Sequence, residues 1–203
     1  MKIKILTIAV MLLCMSLEVQ SQDNMGHSIN LSVAPVGYTQ AKISHDNEKF
    51  TYNYKSFLSA NLSYEKYFEN MDVTTEFYYQ QAKFDNYKLN GSTDAFNPAQ
   101  KEDIYNVGVT IFAGIATINK YKRFQVPFYL GPGCEYIYGG PFHNLTFNIS
   151  ARARMKFYMT NNIGIFADVT GRYGFGSKSG SRSSKYNLST ITVCADAGVC
   201  FGF

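Results

Sequence analysis

The sequence predicts an all-β fold, an antiparallel up-and-down β-barrel of about eight strands. Three observations lead to this prediction. Aromatic residues, which favour strands, are abundant, with 16 Tyr and 16 Phe among 203 residues. Apolar and polar residues alternate with a period of two in eight segments, and no long segment shows the 3.6-residue period of a helix. The connections between these segments alternate between long and short, as expected when consecutive strands run up and down.

Each candidate strand carries apolar side chains on one face and polar side chains on the other. The sixth is the clearest, because apolar residues occupy every second position from Leu145 to Phe157. The fifth is the least regular, because it contains Pro127 and Pro132, which cannot donate to a ladder. The eight strands are expected at about 27–38, 55–67, 71–83, 103–116, 123–138, 145–158, 163–174 and 187–203.

The N-terminal segment has the pattern of a secretory signal peptide. Lys2 and Lys4 precede an apolar run from Ile5 to Leu17, and smaller residues follow it. The run is too short for a membrane-spanning helix, which needs about 20 residues. We therefore expect residues 1–21 to be removed on export and residues 22–203 to form the barrel; a retained N-terminal anchor is the alternative.

Charge and cysteine content argue against several functional classes. The formal net charge of +4 is too small to indicate a nucleic-acid partner. Cys134, Cys194 and Cys200 remain after the signal segment, and they form neither a CxxC motif nor a Cys/His spacing typical of a metal site. The sequence therefore predicts no metal, no cofactor and no nucleic-acid partner.

Alternation alone does not distinguish a water-soluble barrel from a transmembrane barrel. The apolar faces point inward in the first and towards lipid in the second. Strict alternation over ten or more residues favours the second, since a tilted transmembrane strand needs about 9 to 11 residues. So does the pattern of connections, which are long at 39–54, 84–102 and 175–186, short at 68–70, 117–122 and 159–162, and intermediate at 139–144. A soluble periplasmic barrel that binds an apolar ligand is the alternative.

Aromatic residues near the strand ends support the transmembrane arrangement. Barrels in membranes carry aromatic belts at both interfaces. Candidates for the belt near the short connections are Tyr64, Tyr67, Phe68, Phe157, Tyr158 and Phe203. Candidates for the belt near the long connections are Tyr38, Tyr79, Tyr136, Tyr138 and Tyr173.

The last strand ends in an aromatic residue, with Val199, Phe201 and Phe203 at alternate positions. In this respect the chain resembles the small outer-membrane β-barrels of the OmpA/OmpX type, and the segment 126–133 also resembles a stretch common in such domains. The resemblance implies a location in the outer membrane of a Gram-negative bacterium, in contact with its lipid and lipopolysaccharide. It also implies that the barrel assembly machinery reads the C-terminal strand.

The polar faces of the candidate strands carry charges of both signs. Their parity places these residues inside the barrel: Glu65, Asp72, Glu76, Arg123, Glu135, Arg152, Arg154, Lys156, Asp168, Arg172 and Asp196. Side chains fill the interior of an eight-stranded barrel, and an unpaired charge there costs several kcal/mol. We therefore expect a plugged lumen with a structural ion-pair network among Glu65, Glu76, Glu135, Arg152, Arg154, Asp168, Arg172 and Asp196.

Catalytic motifs are lacking. The three histidines are His27, His45 and His143, and no P-loop, GxSxG or HExxH motif occurs. We therefore expect a non-enzymatic structural, adhesion or interaction protein that presents its long loops to partners the sequence does not identify. An outer-membrane lipid-modifying enzyme, such as a lipid A acyltransferase or deacylase, is the alternative.

Overall fold

Nearly all of the described chain is β-strand. The computed structural model describes residues 26–45, 48–68, 71–89, 102–115, 124–140, 142–179 and 185–203. The strands are β1 His27–His45, β2 Glu48–Tyr67, β3 Asp72–Leu89, β4 Ile104–Ile115, β5 Phe124–Gln125, β6 Phe128–Gly139, β7 Phe142–Tyr158, β8 Ile163–Ser179 and β9 Lys185–Gly202. Within these ranges no helix has the length and apolar character needed to cross a membrane. The proposed signal segment 1–21, Arg123 and the connection 117–122 lie outside the described residues.

The strands form a closed antiparallel ring. Each strand pairs with its neighbours in the chain, and β9 pairs with β1 to complete the circle. β5 and β6 are one interrupted strand, because both pair with β7 in a single register, with Phe124 opposite Phe157 and Phe128 opposite Ala153. Pro127 causes the interruption but keeps the register, since its carbonyl accepts a hydrogen bond from the Arg154 amide at 3.1 Å. The ring thus has eight strands, and the predicted fold class is confirmed.

The two ends of the barrel differ. We call the end that carries His27 and Phe203 the base; the backbone groups of these two residues hydrogen-bond to each other there, at 3.1 and 3.0 Å. We call the opposite end the rim. At the rim, β6 turns into β7 within a few residues, and Gly139 and Gly140 adopt φ values of 109° and 56°, which favour glycine.

Several predicted connections are wrong, because the strands extend through them. The β1–β2 ladder continues to His45 opposite Glu48, so most of 39–54 is sheet. The β8–β9 ladder continues to Ser179 opposite Lys185, so 175–179 and 185–186 are sheet, and 180–184 lies outside the described residues. β3 likewise reaches Leu89, within the predicted loop 84–102, of which 90–101 lies outside the described residues.

The barrel has its apolar side chains outside and its polar side chains inside. In β7 burial alternates at each of 17 positions, and from Asn144 to Phe157 every buried side chain is polar and every exposed one apolar, with Phe147 60 % exposed and Arg154 1 % exposed. A water-soluble barrel would have the opposite arrangement. The alternative of a soluble barrel with an apolar interior is therefore wrong for this fold.

The polarity of the two faces reverses near the rim. In β2, Ser59 and Ser63 point inward, but the register shift at Ser56/Leu58 brings Ser56 and Tyr54 inward instead. A one-residue shift exchanges the faces of a strand. Above this shift the interior becomes apolar and the exterior polar, as in a water-soluble sheet. This reversal explains why the rim segments looked like loops in the sequence.

Candidate functional site

The candidate site is the lumen, where all eight residues of the expected network are buried. Each is 5 % exposed or less, and each lies on the inward face of its strand. Glu65 comes from β2, Glu76 from β3, Glu135 from β6, Arg152 and Arg154 from β7, Arg172 and Asp168 from β8, and Asp196 from β9. Six of the eight wall strands therefore contribute to one column of charge.

The lowest layer of this column is centred on Glu65. Lys156 forms an ion pair with the Glu65 carboxylate and donates to the Tyr67 hydroxyl at 2.9 Å. Glu65 also accepts hydrogen bonds from the Tyr129 hydroxyl at 2.5 Å and the Asn30 amide at 3.1 Å. A buried carboxylate with this many donors satisfies its lone pairs, which is the condition for a buried ion pair to be tolerated.

Arg154 forms the next layer with Asp168. Its Nε and Nη2 lie 2.8 and 2.7 Å from the same carboxylate oxygen, Asp168 Oδ2, and its Nη1 lies 3.8 Å from Glu65 Oε2. The guanidinium also stacks on the Phe166 ring at 4.2 Å. Arg154 thus links the Glu65 layer below to the Asp168 layer above.

Glu76 joins two arginines in the third layer. Arg152 pairs with one of its carboxylate oxygens, and Arg172 Nη2 donates to the other at 2.9 Å. Arg152 also donates to Thr170 at 3.0 Å and lies 3.6 Å from Asp168. Because Glu76 and Asp168 each serve two arginines, the three arginines form one connected network.

The remaining two predicted members, Glu135 and Asp196, are held by neutral donors. Glu135 accepts hydrogen bonds from the Tyr78 hydroxyl at 2.8 Å and from Thr190 at 3.2 Å. Asp196 accepts one from Asn61 at 2.8 Å and lies opposite Asp168 in the β8–β9 register. The structure thus brings these two carboxylates to the column without a direct cation partner among the described residues.

An apolar cluster lies in the lumen above the charges, near the rim. Its fully buried members are Ala41, Tyr54, Ala82, Ile104, Ile137, Phe142 and Leu188. Phe142, at the start of β7, packs edge-on against Tyr52 and Tyr54, with ring centroids 5.4 and 6.3 Å apart. A polar layer around Gln80, which contacts Ser56 and Asn106, separates this cluster from the ion pairs.

Aromatic side chains also line the lumen, and the sequence did not predict them there. Arg152 lies over the Phe112 ring at 4.4 Å and Arg172 over the Tyr78 ring at 4.0 Å, in cation–π geometry. Tyr67 and Tyr158, expected in an interfacial belt, instead meet inside the base, with their hydroxyl oxygens 3.2 Å apart. Strand parity was the signal available, because Tyr78, Phe112 and Tyr158 share the parity of their polar neighbours.

Glycines make room for several of these rings. In each case the glycine lies opposite the aromatic residue on the neighbouring strand: Gly108 opposite Tyr78, Gly114 opposite Tyr129, Phe166 opposite Gly198 and Tyr158 opposite Gly164. A Cβ atom on Gly108 would lie 2.4 Å from Tyr78 Cζ, and one on Gly114 would lie 2.4 Å from Tyr129 Cδ1. The rings therefore lie flat across the neighbouring strand, where the arginines can stack on them.

The two histidines whose side chains are described lie at opposite ends of the barrel. His27 lies at the base, stacked between Tyr64 and Phe203 with centroids 5.7 and 5.8 Å away. His143 lies at the rim on the outward face of β7, and the side chain of His45 is outside the described set. Within the described residues, no group of three or more His, Cys, Asp or Glu is arranged to hold a metal ion.

The C-terminal residues lie at the seam that closes the barrel. Phe201 is opposite Ile29 of β1 and Ile163 of β8, and Val199 is opposite Leu31 and Ile165. The ring of Phe203 stacks on His27. The last strand is therefore paired on both sides, and its alternate apolar residues face outward.

A scan against protein-family models gives no match, and neither does a search of curated protein sequences. Solved structures do match. The outer membrane protein OprG from Pseudomonas aeruginosa has a TM-score of 0.61 at 11 % identity, over 89 % of this chain and 99 % of OprG. The outer membrane protein AlkL, solved in lipid bilayers, has a TM-score of 0.55 at 12 % identity, over 92 % of this chain and 94 % of AlkL.

These similarities extend over almost the whole length of each chain, and at this level of identity they establish the fold. They agree with the inverted arrangement of apolar and polar faces. The resemblance to small outer-membrane barrels is thereby confirmed at the level of architecture: the chain has the fold of the small outer-membrane β-barrel proteins.

Proposed function

We propose that this protein is an integral outer-membrane barrel with a closed lumen, which acts as a structural, adhesion or interaction protein through its rim. The observation that carries the proposal is the pair of seals in the lumen. The ion-pair column fills the middle of the barrel, and the apolar cluster around Phe142 fills the space above it. An eight-stranded barrel has room for little more than such side chains.

The two seals oppose permeation in different ways. The arginines of the column are each held by a carboxylate and a ring, so moving one aside would leave buried charges unpaired. Among the fully buried side chains of the apolar cluster only Tyr54 carries a polar atom, so the cluster offers little to an ion that has left water. A solute would have to disrupt both layers, and this supports a role at the surface of the barrel over transport through it.

Conductance in a planar bilayer tests the closed lumen. The wild-type protein is expected to give no stable open state, and stable steps in the nanosiemens range would overturn the proposal. Arg154→Ala with Asp168→Ala removes a matched pair from the column, and Tyr54→Ala with Phe142→Ala removes the apolar seal. We expect each double variant to stay closed and the quadruple variant to conduct, with folding of each checked by its heat-dependent gel mobility.

Assembly through the C-terminal strand is part of the same proposal. Its support is the position of Phe203 at the seam between β9 and β1 and the outward alternation of Val199 and Phe201. Deleting Phe203 is expected to lower the amount of folded barrel in cells at least severalfold, while refolding of the purified chain in detergent changes little. Equal losses in both would point to a purely structural role for Phe203.

A further inference from the structure

The described part of the lumen holds more buried carboxyl groups than cations. The inward carboxyl groups, each on a residue that is 5 % exposed or less, are those of Glu65, Asp72, Glu76, Glu135, Asp168 and Asp196. The buried cations beside them are Arg152, Arg154, Lys156 and Arg172. If every carboxyl group were ionised, two negative charges would remain uncompensated away from water, which is costly. A proton on one of these carboxyl groups would remove part of that cost.

Asp168 and Asp196 are placed to share such a proton. They lie directly opposite each other in the β8–β9 ladder, and both side chains point into the lumen. Their carboxyl groups are close enough to hydrogen-bond to each other. Two carboxylates cannot form this bond, because each is only an acceptor, whereas a protonated carboxyl group donates to a carboxylate. Two ionised groups at opposed positions of a ladder would repel each other instead.

The contacts of Asp168 identify it as the ionised member of the pair. Arg154 Nη2 lies 2.7 Å from Asp168 Oδ2, and Arg152 Nε lies 3.6 Å from the same oxygen. The other oxygen, Oδ1, is buried and has no donor within the described residues. A proton carried by Asp196, on the neighbouring strand, would supply the donor that Asp168 lacks.

The contacts of Asp196 are different. Asn61 of β2 donates to it at 2.8 Å, and the thiol of Cys194 on β9 lies 3.6 Å away. Arg172 of β8 reaches Cys194 at 3.5 Å, but it donates to the Glu76 carboxylate at 2.9 Å. The inward face of β1 carries no charged residue within its described length. The cations near Asp196 are thus already paired with other carboxylates.

We propose that Asp168 and Asp196 share one proton, which joins β8 to β9 inside the barrel and makes the ion-pair column sensitive to pH. While the proton is bound, Asp196 donates to Asp168 and the arginines keep their carboxylate partners. Loss of the proton at higher pH places a second negative charge against Asp168 and attracts Arg172 away from Glu76. The column then loosens beside the seam between β9 and β1. This inference is independent of the role proposed for the rim.

The shared proton predicts that the folded barrel loses stability as the pH rises. Above about pH 5 both carboxyl groups are ionised in the unfolded chain, whereas the folded pair still holds one proton. The folded state therefore binds one proton more than the unfolded state. Its equilibrium constant of folding should fall by up to about tenfold per pH unit, until the folded pair is ionised as well.

Urea unfolding in phosphatidylcholine vesicles between about pH 5 and about pH 9 tests this through Asp196→Asn. The new amide donates to Asp168 without a titrating proton. At the upper end of the range the variant should therefore have a severalfold larger folding constant than the wild type, with a weaker dependence on pH. Glu76→Gln is the matched control. The same chemical change at a carboxylate shared by two arginines should lower the folding constant at every pH.

The proposal fails if Asp196→Asn lowers the folding constant at every pH as Glu76→Gln does, or if its pH dependence equals that of the wild type. Heat-dependent gel mobility shows whether each variant folds. The comparison with Glu76→Gln separates a shared proton from a merely structural role, because only a shared proton changes the pH dependence.

Infrared spectroscopy of the wild-type protein provides a test that needs no variant to fold. A protonated carboxyl group has a carbonyl band distinct from that of a carboxylate, and a heavy carbon isotope in the aspartate side chains identifies its residue type. At neutral pH the wild type should show this labelled band. The band should weaken in Asp196→Asn and persist in Asp85→Asn, which changes a carboxylate outside the lumen. No labelled band, or a band unchanged in Asp196→Asn, would contradict the shared proton.

A metal cation between the two carboxylates would neutralise them as a proton does, and the unfolding measurement distinguishes the two. A shared proton predicts that neither calcium nor a chelator changes the difference in folding constant between the wild type and Asp196→Asn. A folding constant that calcium raises and a chelator lowers, in the wild type but not in Asp196→Asn, would show a cation site and overturn the proposal.

Discussion

At the scale of single residues, glycine decides how the cations of the lumen are held. Gly108 lets Tyr78 lie across β4, where its ring supports Arg172 and its hydroxyl donates to Glu135. The charge pairs and the rings therefore depend on each other. A glycine that leaves room for an aromatic ring on one strand thereby determines the position of an arginine on another strand.

Gly108→Ala should destabilise the barrel by about 1–3 kcal/mol, because the added methyl group would displace the Tyr78 ring. Gly171→Ala is the matched control. A Cβ there has no atom within 4 Å, and its effect should be close to zero. Equilibrium urea unfolding in lipid vesicles measures both, and equal effects would show that ring displacement is unimportant.

Glu76→Gln should cost about 3–5 kcal/mol, because Arg152 and Arg172 would both lose the carboxylate that they share. Asp85→Asn removes a carboxylate from a solvent-exposed pair with Lys55 and should cost less than about 1 kcal/mol. The same unfolding measurement compares them. A Glu76→Gln variant as stable as the wild type would mean that the column carries little of the barrel's stability.

At the scale of elements, the rim behaves as a continuation of the sheet with its faces exchanged. Because of the register shifts in β1 and β2, the outward face of the same strand is apolar in the lipid-facing belt and polar near the rim. Near the rim, β1 pairs with β2 and β9 as far as Ser44, so its backbone groups are bonded on both sides. The β3–β4 ladder stops lower, at Ala82 opposite Ile104, whereas the β8–β9 ladder reaches Ser179, so the barrel is taller on the side formed by β8, β9 and β1–β3.

Hydrogen exchange should reveal this extension. Backbone amides of 39–44 are expected to exchange slowly in lipid nanodiscs, because both of their ladders are formed. Phe142→Ala removes a fully buried ring of the apolar cluster, so it should speed exchange there while amides in the belt stay protected. His143→Ala, the outward-facing neighbour, should change little. Rapid exchange in the wild type would mean that these segments are loops after all.

At the scale of the whole molecule, the closed ring of strands and the outward placement of the apolar side chains act together. Every described strand is paired on both sides over its central part, so no long edge remains open to another chain. Below the rim the outer surface is apolar around the ring, and the charges of the column are enclosed. Such a molecule is stable only where lipid or detergent covers its outer wall.

Fractionation and gel mobility test this arrangement directly. The protein is expected to resist extraction by high salt, to dissolve in detergent, and to migrate differently in an unheated sample than in a boiled one. The physical reason is that the closed ladder persists in cold detergent. Release by salt, with a single mobility before and after boiling, would contradict a membrane-embedded barrel.

The sequence by itself determined the eight strands, which residues share one face of each strand, and the grouping of the charged residues on a single face. It did so because strand parity is a local property: side chains alternate whatever the neighbouring strands do. The lengths of β1, β2 and β8 were not predictable in this way. Polar residues on a water-facing sheet resemble those of a loop, and the register shifts that exchange the faces arise between strands.

Only the tertiary structure decided which charges meet. Glu65 and Lys156 are 91 positions apart, and Glu76 and Arg172 are 96 apart, so nothing local pairs them. Ring closure brings them to the same height. The tertiary structure also decided which face of each strand is towards lipid. The alternating sequence pattern is the same for both choices, and only the closed barrel distinguishes an inner face from an outer one.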